Sequence, residues 1–410
     1  MCARRVKARV ARKAVREAAV AATEVAPQAH ARCHARYVAG LLAAFSLTAL
    51  PALAGTLPED RADVMYHLYE GGDLTVDGPS VLVRKSMADK VSVWANYYVD
   101  LITSASVDVM ATASPYSERR VEWSTGADFV HEDTSMGLSF TKSDESDYNA
   151  RTVRFGISQT FFGDLTTVGI AYARGWDTVQ RRGDDVFEED VEHRSYRVDV
   201  SQILTRSLVM SLNYEAVSDE GFLNNPYRSV RFADTSVARG YSYEREVYPN
   251  TRTSDAIALR AKYYLPYRAA ISAEYRHYQD TFGIAANDGA LEYTHPLASG
   301  WTLEARYRYY TQDAADFYAD LFPRANAQNF LARDKELSTF DSHTVGLGVS
   351  YDAGEGRLPW VDRGSLTLQV DYMRIGYDDF RDVTKGGTPG QEPLYELDAV
   401  VVRAFGSVYF

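Results

Sequence analysis

The chain has 410 residues, with 44 Lys and Arg against 56 Asp and Glu and a net charge of −12. Such an acidic balance disfavours nucleic acid as a partner, because binding to phosphates needs a basic face. Both cysteines, Cys2 and Cys33, lie in the first 54 residues, so the remainder has no thiol for a disulfide, a metal ligand or a nucleophile.

Residues 1–54 are predicted to be a leader. Residues 37–54 form an apolar run that follows a basic segment and ends in Ala-Leu-Ala, which is typical of a cleaved secretory signal. The part before this run is long, rich in Arg and nearly free of acidic residues, so an organellar transit peptide is the alternative. The leader holds nine of the Lys and Arg and two of the Asp and Glu residues, which leaves −19 on residues 55–410. We expect these to form one domain.

Beyond the leader the dominant pattern has a period of two residues. Apolar and polar residues alternate in SLVMSLNYEA (207–216), DAIALRAKYYL (255–265), WTLEARYRYYT (301–311) and TVGLGVSYD (344–352). No stretch shows a helical period of comparable strength, which predicts an all-β fold. No apolar run approaches the ~18 residues of a spanning helix, but the strands of a membrane barrel keep a low mean hydropathy.

The connections between these segments fall into two sets that alternate along the chain. One set is short and comprises residues 87–90, 131–134, 161–165, 204–206, 265–268 and 296–300, with a longer member at 354–364. The other set is mostly long and comprises residues 103–120, 177–191, 218–252, 312–340 and 379–395, with shorter members at 142–149 and 281–287. Short periplasmic turns and long extracellular loops are typical of outer-membrane barrels.

The number of strands follows from this alternation. Counting back from the C-terminus through seven short turns gives fifteen strands, and residues 64–70 supply a first upward strand. We therefore predict a transmembrane antiparallel β-barrel of sixteen strands, or fourteen if the first two are wrong. A soluble β-sandwich or propeller is the alternative, but the export signal, the absence of blade-sized repeats and the 29 Tyr residues favour the barrel.

The C-terminal stretch AVVVRAFGSVYF reads as a closing strand. Val400, Val402, Val408 and Phe410 share one face, and no polar tail follows. This arrangement resembles the signal recognised by the barrel assembly machinery, which we expect to be a partner together with outer-membrane lipid. A closing strand must also pair with the first strand, since open sheet edges are not tolerated in lipid.

If the apolar residues of each strand face lipid, the residues that alternate with them face the lumen. These lumen residues include eight cations and eight anions. The cations are Arg154, Arg197, Arg260, Lys262, Arg276, Arg306, Arg308 and Arg403. The anions are Asp100, Glu122, Asp128, Asp199, Glu215, Glu274, Glu304 and Asp371. A mixed set indicates either a watery pore or a wall of paired charges, because isolated charges in a dry interior are costly.

Signals for catalysis and metal binding are weak. No G-x-S-x-G or HExxH motif occurs, and only His277 and Asp280 near the outer rim offer a hydrolase site, so we do not expect an enzyme. The acidic segment 181–193 could hold Ca²⁺, but its spacing fits no calcium loop and a solvated loop is the simpler interpretation. No cofactor is predicted.

Several long stretches, among them DGPSVLVRKSMADKVSVWANYYVD, GISQTFFGDLTTV, DEGFLNNPYRSVRF and DAADFYADLFPRANAQNFLARDKELSTF, resemble the domain-of-unknown-function 3570 family. The resemblance covers roughly residues 62–410 and implies an outer-membrane barrel of Gram-negative bacteria with no established substrate. It also implies genes that lie beside a small lipoprotein, a thioredoxin-like protein and a flavin transferase, which points to envelope redox or metal handling. It supplies no catalytic residue.

Three functions remain open from the sequence. The first is a pore, or the barrel of an envelope complex. The second is a structural barrel plugged by its loops 219–253 and 313–340, which docks a periplasmic lipoprotein or redox partner. The third is a hydrolase at the outer rim.

Overall fold

The computed structural model describes residues 56–104, 116–354 and 361–410. Sixteen antiparallel strands close into one barrel, and two further strands form a separate hairpin in a long connection. The predicted strand number is confirmed. Within these residues no helix has the length and hydropathy needed to span a membrane. The leader 1–54 lies outside the described residues.

The first nine strands of the chain belong to the barrel. They are β1 (Arg61–Gly71), β2 (Leu74–Ala88), β3 (Val91–Ser104), β4 (Tyr116–His131), β5 (Thr134–Asp144), β6 (Tyr148–Phe161), β7 (Thr166–Arg181), β8 (Asp184–Ile203) and β9 (Leu208–Gly221). The hairpin consists of β10 (Ser229–Ala233) and β11 (Tyr241–Arg245). The barrel continues with β12 (Thr251–Tyr264), β13 (Ala270–Asp280), β14 (Ala285–Pro296), β15 (Trp301–Gln312), β16 (Phe340–Asp352), β17 (Arg363–Arg381) and β18 (Leu394–Tyr409). Three 3₁₀ turns cover Ala298–Gly300, Lys335–Leu337 and Val383–Lys385.

Exposure alternates along the strands with the predicted period. On β16, Val345 and Leu347 are 54% and 65% exposed, whereas Thr344, the residue directly before Val345, is buried. Successive side chains of a strand point to opposite faces, so the apolar set forms the outer surface of the barrel. The less exposed set forms the inner wall.

Tyrosines about halfway along their strands bind polar groups on neighbouring strands of the outer surface. Tyr66 donates to Asp77 at 2.5 Å, Tyr275 donates to Asn287 at 2.7 Å and Tyr372 donates to Asp398 at 2.7 Å. An amphipathic ring with its hydroxyl held at a polar level suits the membrane–water interface. These pairs mark the upper edge of the apolar belt.

The barrel closes where the last strand pairs with the first. Arg61 to Gly71 of β1 pair antiparallel with Tyr409 to Ala399 of β18, without a register shift. Val400 is on the exposed face of β18, and Phe410 follows the strand, with its ring under the Lys85 Nζ at 4.9 Å. The closing role of the C-terminal stretch is confirmed; its recognition by assembly machinery stays a prediction.

The seven predicted short turns are all found at one end of the barrel. The turn 162–165 between β6 and β7 needs left-handed backbone at Phe162, Gly163 and Asp164, with φ of 55°, 64° and 70°. Only Gly adopts this conformation without steric cost. Residues 355–360 of the seventh turn lie outside the described residues.

The prediction of a long loop at 177–191 is wrong. Strands β7 and β8 continue to Arg181 and Asp184 and are joined by two residues. The hairpin projects beyond the apolar belt, where both faces of a strand are polar and the alternation of hydropathy disappears. The connection between β1 and β2 is also only two residues long, and residues 105–115 of the predicted loop 103–120 lie outside the described residues.

A charge placed on the outer surface should destabilise the barrel according to its depth. Leu347→Arg, halfway along β16, should cost about 2–4 kcal/mol, whereas Leu394→Arg at the outer end of β18 should cost about 0–1 kcal/mol. The measurement is equilibrium unfolding in urea of protein folded into lipid vesicles. Equal costs at the two positions would show that the exposed apolar set does not face lipid.

Candidate functional site: a capped and charged lumen

Three connections at the outer end of the barrel pack together, and we term them the cap. They are residues 222–250 between β9 and β12, 313–339 between β15 and β16, and 382–393 between β17 and β18. The first contains the β10–β11 hairpin. They join chain segments that leave the barrel at separate places on its rim.

Backbone hydrogen bonds join the first two cap segments. Val247 and Leu331 exchange two N–H···O bonds, of 2.9 and 2.8 Å. The N–H of Phe322 donates to the carbonyl of Arg231 at 2.9 Å, and the N–H of Ala233 donates to the carbonyl of Phe322 at 2.8 Å. Such β-type bridges fix the position of each segment relative to the other and satisfy backbone groups that would otherwise need water.

Arg231 is fully buried where all three cap segments meet. Its guanidinium donates to both carboxylate oxygens of Glu392, at 2.5 and 3.0 Å, and to the backbone carbonyl of Asp320 at 2.9 Å. The Asp320 carboxylate also binds Arg231, and it binds Arg333 at 3.0 Å. Buried charges persist only when they are paired and hydrogen-bonded, and this cluster meets that condition.

A second buried acidic group lies beside this cluster. Glu246 accepts from the Arg333 N–H at 2.8 Å and from the Tyr248 hydroxyl at 2.7 Å, while Asp334 is fully buried and paired with Arg228. Burial, reinforced by the nearby Asp334 carboxylate, raises the pKa of Glu246 to about 7. This carboxyl therefore changes charge near neutral pH.

Apolar side chains anchor the cap to the inner wall. Leu223, Tyr248 and Phe317 of the cap pack in one buried cluster with Phe282 and Ile284 of the β13–β14 connection. The wall contributes Tyr148, Val179 and Val191 to the same cluster. The inside of the barrel is thus apolar at its outer end, beneath the cap.

A buried histidine supports the wall at this level. The two ring nitrogens of His193 on β8 lie 2.9 Å from Asp177 and 2.5 Å from Asp219. Asp177 also accepts from the Tyr148 hydroxyl at 2.5 Å. Sequence reasoning missed this group because its members lie on four strands and share only their place on the inner face of the wall.

Deeper in the lumen the wall is charged, and the structure places the sixteen predicted lumen residues on the less exposed parity of their strands. It joins several of them, either across strands or two residues apart along one strand. The pairs are Arg197–Asp199 at 2.9 Å, Arg260–Glu274 at 2.5 Å, Arg306–Asp371 at 2.8 Å, Arg403–Asp371 at 2.5 Å and Arg306–Glu304 at 3.8 Å. Glu215 accepts from the Ser195 hydroxyl at 3.1 Å.

Other predicted residues pair with groups that sequence reasoning did not single out. Asp100 contacts Arg120 at 2.8 Å and His67 at 2.7 Å, and the buried Glu122 lies beside Arg120. Asp128 pairs with Arg84, and Arg308 with Asp288, its Nε donating at 2.7 Å. Of these partners, Arg120 lies in the segment predicted as the loop 103–120, whereas Arg84 and Asp288 lie within predicted strands, and their place on the inner face could have revealed them.

Three predicted lumen cations have no ion pair within the described part of the chain: Arg154, Lys262 and Arg276. Arg276 lies over the ring of Tyr278, at 5.5 Å from its centroid. An unpaired cation on the wall needs water or a ligand to compensate its lost hydration. These side chains favour a hydrated lumen below the cap.

The predicted rim site does not assemble. His277 contacts Asn287 at 3.0 Å, whereas Asp280 binds Arg252 and accepts from Tyr278 at 2.8 Å. An odd separation along a strand places the two side chains on opposite faces. Within the described residues no group of three or more metal-ligating side chains is found, and the segment 181–193 belongs mostly to β8.

With this geometry in place, comparison with known proteins identifies the family. Residues 41–359 match the family model described as "Protein of unknown function (DUF3570)". The chain belongs to this family. The match ends before β17, so Arg231 and Asp320 lie within the matched residues and Glu392 lies beyond them. No curated protein is similar enough to match the chain.

Solved structures with a similar fold are outer-membrane proteins. A bacterial polysaccharide outer membrane secretin is 9% identical, with a TM-score of 0.47, covering 86% of this chain and 100% of that chain. A FadL homologue of Pseudomonas aeruginosa is 10% identical, with a TM-score of 0.42 and coverage of 88% and 92%. OmpT of Vibrio cholerae, folded in vitro, is 10% identical, with a TM-score of 0.38 and coverage of 86% and 97%.

Removing the central arginine should loosen the cap. Arg231→Ala leaves Asp320 and Glu392 buried with fewer partners, which should cost about 3–5 kcal/mol of cap stability. Amide protection of Phe322 and Leu331, measured by hydrogen exchange, should then fall by about two to four orders of magnitude. In the matched control Arg324→Ala, the lost bonds go only to the carbonyls of Ala325 and Asn326, and protection should persist. Unchanged protection in Arg231→Ala would contradict the central role of this residue.

The closed cap should be more stable in mild acid. The raised pKa of Glu246 means that the closed cap holds a proton that the open, hydrated cap releases. Stability should therefore fall as pH rises from the ordinary value of 4.5 to about 7, and should then stay level. Protection factors at Val247 should be higher at pH 5 than at pH 8. Glu246→Gln should remove this difference, whereas Glu244→Gln should keep it; a wild-type protein with equal factors at both pH values would refute the assignment.

Proposed function

We propose that this outer-membrane barrel is a channel for small hydrophilic solutes whose outer mouth is closed at rest by the cap. The observation that carries the proposal is the burial of Arg231 between cap segments from three places on the rim. A set of loops that merely covered the surface would not need a shared charged centre.

The charged wall supports conduction rather than a solid core. Sixteen strands enclose enough space for an aqueous channel. Arg154 and Lys262 lack ion pairs within the described residues, so they depend on water or a passing solute for compensation. The eight predicted cations and eight predicted anions balance, which favours weak selectivity between anions and cations.

A structural barrel is the second candidate, because the same cap would also seal a barrel that never conducts. In that case the protein would dock a small periplasmic lipoprotein or a redox partner at its short-turn end. Co-purification from solubilised outer membranes tests this candidate, and recovery of the barrel alone would oppose it. No enzymatic activity is proposed, since the predicted rim pair makes separate contacts.

Conductance of the refolded protein in a planar bilayer separates the two candidates. Wild type should be closed or open only briefly, while Arg231→Ala and a deletion of the hairpin 229–245 should give steady, large openings. Arg324→Ala should behave as wild type.

Two results would contradict the channel. Steady large openings of wild type would show that the cap does not close the mouth. Silence of a correctly folded deletion variant would show that the lumen is blocked below the cap, which supports the structural barrel.

A further inference from the structure

The outer surface of β5 to β8 carries a cluster of cations at the extracellular end of the barrel. It consists of Lys142, Arg151, Arg174 and Arg194, which we term the basic patch. Lys142 pairs in register with Arg151 across β5 and β6, and Arg174 pairs with Arg194 across β7 and β8. Arg151 is opposite Trp176, two residues from Arg174. The four side chains therefore occupy adjacent positions on one face of four neighbouring strands.

The basic patch borders the apolar belt directly. Below Arg151 on the outer face of β6 is Phe155, which is 45% exposed, and below Arg174 on β7 is Ile170, which is 54% exposed. Tyr172 and Tyr196 lie between the two levels, with ring centroids 5.1 Å apart. This position corresponds to the headgroup level of the outer leaflet.

Internal pairing leaves the patch positively charged. Lys142 binds Asp144 at 2.8 Å, and Arg174 and Arg194 share the single carboxylate of Glu192. No ion pair engages the exposed Arg151 within the described part of the chain. On β5 to β7 the described outer face carries Lys142, Arg151 and Arg174 against the carboxylate of Asp144, which leaves a charge of +2 there. The carboxylates of β8 and β9 on this face, Asp190, Glu192 and Glu220, flank these cations on one side.

The excess is local, because the chain as a whole has a net charge of −12. On the opposite side of the barrel, the outer surface of β17 and β18 carries Glu396 and Asp398, with Arg374 bound to Glu396 at 2.7 Å. Non-specific attraction to an anionic membrane would not require an excess of cations on one side only. The asymmetry indicates a defined binding position.

We propose that the basic patch binds the phosphate groups of a phosphorylated glycolipid of the outer leaflet, the lipid portion of lipopolysaccharide. Planar guanidinium groups bind phosphate through paired N–H donors, so arginines are well suited to this ligand. The Trp176 ring lies under the Arg174 guanidinium at 5.0 Å and orients it. Phe155 and Ile170 offer an apolar surface to the acyl chains of the same molecule.

A lipid fits better than a free phosphate ion because the patch is open to the side of the barrel and has no buried polar pocket. The acyl chains would supply the affinity along the belt, and the phosphates would select the position. The interaction should weaken as ionic strength rises, since exposed charge pairs are screened over about 8 Å at physiological salt.

The test is titration of the full-length barrel in neutral detergent with bis-phosphorylated lipid A, followed by native mass spectrometry. The triple variant Arg151→Gln, Arg174→Gln, Arg194→Gln should bind at least about tenfold more weakly, since each cation near such a surface contributes measurably. Arg374→Gln, an exposed outer-surface arginine on β17, is the matched control and should bind within about twofold of wild type. Heat-modifiable electrophoresis verifies folding. If the triple variant does not fold, Arg151→Gln alone replaces it, because this side chain holds no ion pair, and should bind about fivefold more weakly.

Four results would overturn the proposal. They are equal affinity of the patch variant and wild type, an equal loss in Arg374→Gln, equal binding of dephosphorylated lipid A, and displacement of the lipid by millimolar inorganic phosphate. The last result would identify a site for small anions only. None of these measurements depends on whether the barrel conducts.

Discussion

Closure of the hydrogen-bond ladder between β1 and β18 is the constraint on which the rest of the structure depends. A barrel in lipid has no water to satisfy an open edge, so the first and last strands must pair along their length. Eleven residues of β1 pair with β18 without a shift. The alternation of side chains is then fixed around the whole circumference.

A closed ring of sixteen strands creates an interior that something must fill. This barrel solves the problem differently at two levels. At the outer end, Leu223 and Phe317 of the cap meet Val179 and Val191 of the wall in an apolar cluster. Deeper in, charged side chains pair across strands, as Arg306 and Arg403 do on Asp371. The change from apolar to charged contacts separates a closed mouth from a polar lumen.

The architecture is predictable because the membrane imposes a strong contrast in hydropathy between the two faces of each strand. Residues 344–352 read unambiguously as a strand, and all seven short turns were located from such segments. The contrast disappears beyond the belt, which is why residues 177–191 were mistaken for a loop although β7 and β8 form a hairpin there. Charged residues on both faces produce no hydropathy signal, so prediction fails where strands extend into water.

The cap could not be predicted in the same way. Arg231 contacts Asp320 and Glu392, which are 89 and 161 positions away, and no local pattern links such distant residues. The inner parity identified candidate lumen charges such as Arg306 and Asp371, yet it could not show which of them meet, since register is decided by the turns and by backbone pairing.

The chemistry of the cap also bears on whether it can open. Replacing a buried ion cluster with apolar side chains of similar volume is often neutral or stabilising, so charges are not the most stable means of closing a mouth. They do, however, regain hydration when they separate, which offsets part of the electrostatic energy lost on opening. Arg231, Asp320 and Glu392 can enter water at modest cost, whereas the apolar contacts of Leu223 and Phe317 resist exposure. A charged centre above an apolar rim is therefore suited to a cap that separates first at its centre, while its base stays anchored to the wall.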